Sequence, residues 1–175
     1  MSKGYRLGSY YECENGVTVV TLKQNEEKQM YIVSACLLGE NCNYWGGNYN
    51  NDKVKAFLKD KQYISVCPEV MAGFSTPREV TEILNGRVIT KLGEDVTEGY
   101  IRGAELMWQA TMEKSAECGE EIEGAVLKAK SPSCAVGKNY DGSFTGKIID
   151  GYGFTAEFLK KIGIKLMTEG NYQAD

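Results

Sequence analysis

Tyr31-Ile32-Val33-Ser34-Ala35-Cys36 is an apolar run of strand length closed by a thiol. The design returns in Tyr63-Ile64-Ser65-Val66, which ends at Cys67, and in Gly124-Ala125-Val126-Leu127, which reaches Cys134 through a short Lys/Ser/Pro segment. Each thiol stands at or just past the carboxyl end of a strand, where open α/β sheets bind their ligands. Convergence of Cys36, Cys67 and Cys134 on one site is the expectation that follows.

Helical patterns separate these runs. A helix is expected near 52–60 after an Asn- and Gly-rich loop, and a short one after Pro77, over Glu79 to Leu84. Asp95-Val96-Thr97-Glu98 opens the longest pattern, in which Tyr100, Ala104, Met107, Trp108 and Met112 recur at helical spacing until Gly119 ends it. A loop from Ser131 to Gly153 leads to a helix over 155–161 and a last strand at 164–166. Strands alternating with helices imply right-handed crossovers, hence an α/β fold with a mainly parallel sheet and helices on both faces, a Rossmann-like three-layer arrangement. Residues 1–29 differ: Val17-Thr18-Val19-Val20-Thr21-Leu22 after Glu14-Asn15-Gly16 reads as a β-hairpin or edge strand, an N-terminal extension to a domain over 30–175.

The chain has six cysteines and no histidine among its 175 residues. No Ser-His or Cys-His nucleophile pair can therefore be built, and no zinc site with imidazole ligands. Acid–base work falls to Asp, Glu, Lys, Tyr or a thiol. The formal net charge of −4 gives no broad basic field for a nucleic-acid backbone, so a small molecule is the expected partner rather than a polymer. No apolar stretch is long enough to span a bilayer, and the N-terminus lacks the apolar core of a secretory signal, which suggests a cytoplasmic protein. In that compartment thiols stay reduced, and widely spaced cysteines serve metal binding or catalysis better than disulfides.

Three segments carry chemistry. Cys67-Pro68-Glu69 holds a carboxylate two residues from a thiol on a turn stiffened by proline, so Glu69 is a candidate general acid or base. Ser131-Pro132-Ser133-Cys134 crowds two hydroxyls and a thiol onto a loop after a strand, able to present a ligand thiolate with hydrogen-bond donors around it. Cys36 and Cys42 lie six residues apart; either or both could be functional, and Cys36 is nearer the strand end. Asp95 offers another carboxylate, with helix capping as its simpler use. Three thiolates from distant strand ends suit a cubane iron–sulfur cluster with one iron free of protein ligand, or a zinc ion with water in its fourth position. Spacing alone does not choose between them, and a zinc-stabilised structural domain or a non-enzymatic iron–sulfur or sulfide-carrying module uses the same cysteines.

Ser34-Ala35-Cys36-Leu37-Leu38-Gly39, Cys67-Pro68-Glu69-Val70, Ser131-Pro132-Ser133-Cys134 and Tyr140-Asp141-Gly142, in this order, resemble the motifs of the thiouracil desulfidase family. Gly73, Thr76-Pro77-Arg78 and Asp95-Val96-Thr97 belong to the same pattern, which spans about Met30 to Met167. The resemblance implies a [4Fe–4S] cluster held by Cys36, Cys67 and Cys134, with Glu69 and Ser131 as catalytic groups. The fourth iron would be open to take sulfur from a thiolated base or nucleoside without net redox change. Such an open iron makes the isolated protein oxygen-sensitive. After the first motif, members commonly show a basic residue, Tyr, an acidic or amide residue and Gly, where this chain has Asn43-Tyr44-Trp45-Gly46.

Overall fold

The computed structural model describes residues 13–14, 17–18 and 29–171. Strands β1 (Cys13–Glu14) and β2 (Val17–Thr18) pair antiparallel, Cys13 opposite Thr18 and Glu14 opposite Val17. The rest of the expected extension, including residues 19–22 of its strand, lies outside the described residues. There follow β3 (Gln29–Ser34), a 3-10 turn (Ala35–Leu38), α1 (Asp52–Phe57), β4 (Gln62–Val66), α2 (Pro68–Met71), β5 (Thr81–Leu84), β6 (Arg87–Thr90) and α3 (Thr97–Cys118). The chain ends with β7 (Glu121–Leu127), β8 (Lys138–Tyr140), β9 (Ile148–Asp150), α4 (Phe154–Lys161) and β10 (Lys165–Thr168).

The central sheet has the order β10-β7-β3-β4, and every pairing in it is parallel. Burial on both faces explains why β3 reads as a continuous apolar run rather than an alternating one: Met30 through Ser34 are all buried. Tyr31 and Val33 pack with Val54 and Phe57 of α1 on one face. Ile32, Ala125 and Leu127 meet Met107 of α3 and Ala156 and Leu159 of α4 on the other. The parallel sheet covered on both faces, expected from the sequence, is the one observed. A fully buried side chain such as Ile32 contributes roughly 1.5–3 kcal/mol through this burial.

Local chemistry sets the ends of the helices. Asn51 caps α1, its side-chain oxygen accepting from Lys53 N and Val54 N, both at 3.1 Å. Gly119, at φ 66°, closes α3 in the left-handed conformation. Asp95 does not cap α3 from the usual position, which Val96 occupies, but its carboxylate still accepts from Thr97 N at 3.0 Å.

Residues 79–84 depart from expectation. They form no helix; Thr81–Leu84 is β5, hairpinned to β6 with Leu84 opposite Arg87. The two-residue turn is Asn85-Gly86, at φ 51° and 77°. Positive φ at both positions is the turn that matches strand twist, and Asn-Gly is its sequence signal. The expected loop 131–153 likewise contains the antiparallel pair β8–β9.

The route of the chain creates a crevice. From β3 it leaves through α1 to β4 on one side; from β7, on the other side of β3, it leaves through α4 on the opposite face. Adjacent strands whose connections part in this way leave an opening at their carboxyl ends. Lys128 N donates to Ser34 Oγ at 3.0 Å and ties the two strand ends together there.

A thiol-lined candidate active site

A cavity of about 410 Å³ opens at the carboxyl ends of β3, β4 and β7, with Cys36, Cys42, Cys67, Glu69, Ser131 and Cys134 in its wall. The three strand-end thiols are thus brought together with both candidate catalytic groups. Cys42 joins them. Cys118 ends α3 outside the cavity lining, and the side chain of Cys13 is outside the described residues. The cysteines with described side chains are all free thiols.

Each thiol is held by backbone. The carbonyl of Cys36 accepts from Tyr49 N at 2.8 Å, which folds the Asn-rich loop back onto the strand end. Cys67 directly follows β4, and its carbonyl accepts from Met71 N at 2.9 Å as α2 begins. Proline at the first helical position of α2 needs no N–H partner there, so strand turns to helix within one residue. Gly103 of α3 lets this turn sit close, because a Cβ there would lie 2.4 Å from the Pro68 carbonyl oxygen. Around Cys134, Ser131 Oγ accepts from Ser133 N and Cys134 N, each at 3.2 Å. Gly153 gives α4 its approach to this turn; a Cβ would stand 2.4 Å from the Ser133 carbonyl.

Three of the four thiols are pushed toward the neutral form. The Cys42 pKa is pushed up to about 12, chiefly by its hydrogen bond with Cys36 and further by burial, against an opposing hydrogen bond with Cys67. Cys67 moves the same way through its bond with Cys42 and through burial. Burial takes Cys134 to about 12, with the Ser34 and Ser133 hydroxyls pulling against it. Such thiols become thiolates only when positive charge arrives, and soft cations supply it while releasing the protons. Among the described residues no three His, Cys, Asp or Glu side chains close round a point suited to one metal ion. Three soft donors in a chain without histidine fit a cubane, which takes each thiolate on a different iron.

The opposite wall is polar and already paired. Glu69 is buried, and its Oε2 accepts from Arg78 Nε at 2.7 Å and Nη2 at 2.6 Å. The Tyr100 hydroxyl stands 2.6 Å from Thr81 Oγ1 and near enough to Glu69 to feel its charge. Burial and the Glu69 charge push the Tyr100 pKa up. For Arg78, burial works to lower the pKa, but Glu69 outweighs it and the net shift is upward. In the sequence Arg78 belongs to a motif without a role of its own, and Tyr100 reads as a core residue of α3. Asp95 is outside the cavity lining and pairs instead with Arg87 at 2.7 Å. Trp45 also lies outside it, half exposed and edge-on to Tyr49, whereas the Tyr44 carbonyl accepts from Arg78 N at 2.8 Å and helps to place that side chain.

The switch point of this α/β sheet thus gathers four thiols beside a buried, ion-paired carboxylate. The chain belongs to the 2-thiouracil desulfurase family, whose model matches residues 31–171. It is 38% identical over 152 residues to the uncharacterized protein YbbK of Bacillus subtilis (strain 168), a match covering 80% of this chain and 95% of YbbK. Among solved structures, the [4Fe–4S]-dependent thiouracil desulfidase TudS is similar with a TM-score of 0.71 and 36% identity, over 82% of this chain and 92% of TudS.

Proposed function

We propose that this protein is a desulfidase that exchanges the sulfur of a thiouracil-like base for oxygen, using a [4Fe–4S] cluster held by Cys36, Cys67 and Cys134. The observation that carries the reading is the meeting of those three thiols and the buried Glu69 in one cavity of a chain from this family. When bound, the cluster supplies a Lewis-acidic iron for the thiocarbonyl sulfur, together with the positive charge that turns the thiols into ligands.

The remaining work belongs to the chain. Glu69 takes a proton from water as it attacks the thiocarbonyl carbon, then returns a proton to the departing sulfur. Overall, C=S and water give C=O and hydrogen sulfide, with no electron gained or lost. Arg78 holds the Glu69 carboxyl in place from outside the reacting atoms. Ser131 Oγ already accepts two N–H groups, so its own proton is the group left to offer substrate. The cavity volume suits one base or nucleoside rather than a polymer. No helix among the described residues is long and apolar enough to cross a membrane.

The test uses protein loaded anaerobically with iron and sulfide and offered 2-thiouracil or 4-thiouracil. Sulfide and uracil should appear in equal amounts. Glu69→Gln should cost roughly 10²- to 10⁴-fold in turnover, the range of a lost general acid or base, while the visible cluster spectrum stays unchanged. A loaded wild-type protein that takes up sulfide but forms no uracil would be a carrier. Full turnover in Glu69→Gln would move the proton transfer to another group.

A further inference from the structure

Glu82 of β5 is 6% exposed and stands in the cavity wall, one residue beyond Thr81. Its Oε2 accepts from Phe144 N at 3.0 Å, where the β5–β6 hairpin packs on the loop between β8 and β9. That packing is tight: a Cβ on Gly142 would lie 2.8 Å from the Ile83 carbonyl oxygen. No described residue donates to the other oxygen, Oε1, and no described Lys or Arg pairs with the carboxyl. The part-buried cations of the cavity are committed elsewhere, Arg78 to Glu69 and Lys128 to Glu169. A buried carboxyl normally finds partners for both oxygens, because the water it gave up must be replaced.

Yet Oε1 is not sealed. Among the described residues the fully enclosed side-chain polar atoms without a partner are Asn43 Nδ2 and Glu120 Oε2, so Glu82 Oε1 keeps contact with open space. The open space against this residue is the cavity whose wall it forms. A glutamine would serve the Phe144 N–H equally well, so the remaining acceptor is suited to a donor that the cavity binds. Thiouracils carry such a donor beside the reacting centre: in 4-thiouracil the thiocarbonyl adjoins the N3–H, and the 2-thio isomer has an N–H on each side. Position favours the base over an attached sugar. Thr81 Oγ1 stands 2.6 Å from the Tyr100 hydroxyl, and Tyr100 feels the Glu69 charge, so buried Glu82 adjoins the proposed proton-transfer group. The exposed lining residues Lys130 and Tyr44 lie nearer solvent, where a sugar would point. We infer that Glu82 is a specificity-determining residue, its carboxyl accepting the ring N–H next to the thiocarbonyl; this rests on the desulfidase reading above.

The test compares 4-thiouracil with 3-methyl-4-thiouracil, which keeps the thiocarbonyl and lacks that donor. Glu82→Gln retains an acceptor for the Phe144 N–H and turns an NH2 group toward the ring; Glu82→Ala removes the acceptor and leaves room for the methyl. Wild type should prefer 4-thiouracil in kcat/KM, and each variant should lose about tenfold of that preference, the worth of one hydrogen bond. The visible cluster spectrum should stay unchanged. Equilibrium binding of uracil against 3-methyluracil to the loaded protein should show the same preference in wild type and the same loss in the variants. The inference falls if wild type shows no preference, or if either variant retains it, since Glu82 would then serve only Phe144. Variants that spare the free bases and weaken turnover of 4-thiouridine alone would assign the carboxyl to ribose hydroxyls and overturn it as well. Wild type inactive on every thio compound would sink the desulfidase reading instead. The uracil pair would still decide the role of Glu82: a preference lost in the variants upholds it, and no binding by wild type overturns it.

Discussion

The two walls of the cavity are built differently. The thiol wall stands on the ends of three parallel strands, and burial helps to hold Cys42, Cys67 and Cys134 in the neutral form. The polar wall stands on α2, the segment leading to β5 and one turn of α3, and its charges cancel within the protein, Glu69 against Arg78. The first wall is unfinished without an added positive charge, whereas the second is complete as it folds. On the proposed reading, cofactor chemistry belongs to the sheet and proton chemistry to the elements packed beside it.

The most severe test of this division removes sulfurs one at a time. Cys36→Ser, Cys67→Ser and Cys134→Ser should each fail to keep a full complement of iron after anaerobic loading, because a cubane held by three thiolates tolerates little loss of ligand. Cys42→Ser should keep the cluster. Iron and sulfide analysis of the four variants checks this. Iron retained by Cys36→Ser together with iron lost from Cys42→Ser would reassign the ligand on that loop.

The same contrast governs what is legible in the sequence. Strand-end thiols can be gathered from the chain alone, because apolar runs of strand length announce both the strand and its end, at Cys36, Cys67 and Cys134 alike. Cys42 stays ambiguous because nothing local says where a loop residue returns. The polar wall is mostly hidden. Arg78 meets Glu69 nine residues away through a pairing that no local pattern announces, and Tyr100 looks like any other member of an apolar stripe. The hairpin after Arg78 passes for a helix because its residues tolerate both states; the Asn85-Gly86 turn is the signal that decides. Glu69 itself is legible only through its place beside Cys67.

If the polar wall is complete in the folded chain, breaking it should harm the protein even without a cluster. Glu69 and Arg78 side chains are 11% and 8% exposed, so Arg78→Leu strands a buried charge. The expected cost is about 3–5 kcal/mol, the range for losing one partner of a buried pair. Denaturant unfolding of cluster-free protein measures it. Adding Glu69→Gln to Arg78→Leu should return part of the loss, since no charge is then left unpaired. A cost below about 1 kcal/mol would mean that solvent screens the pair as it does at the surface.

The smallest expected effect concerns the same kind of charge pair placed in solvent. Asp95 Oδ1 accepts from Thr97 N at 3.0 Å and Thr97 Oγ1 at 2.6 Å, and Oδ2 pairs with Arg87 at 2.7 Å. The Thr97 hydroxyl and N–H lead in lowering the Asp95 pKa below its ordinary 3.8, and Arg87 adds to them. A depressed folded pKa favours the charged form in the native state, so its contribution is present above the unfolded value and fades as pH falls through the folded one. Asn at this position mimics the protonated acid. Asp95→Asn should therefore lower Tm slightly and by a constant amount from pH 5 to pH 8, and the gap from wild type should close below about pH 4. Thermal unfolding across that range reads it directly. A gap that persists at acid pH would trace the loss to the shape of the Thr97 contact rather than to charge. Asp95 would then differ in kind from Glu69, whose expected stability contribution comes chiefly from the charge it shares with Arg78.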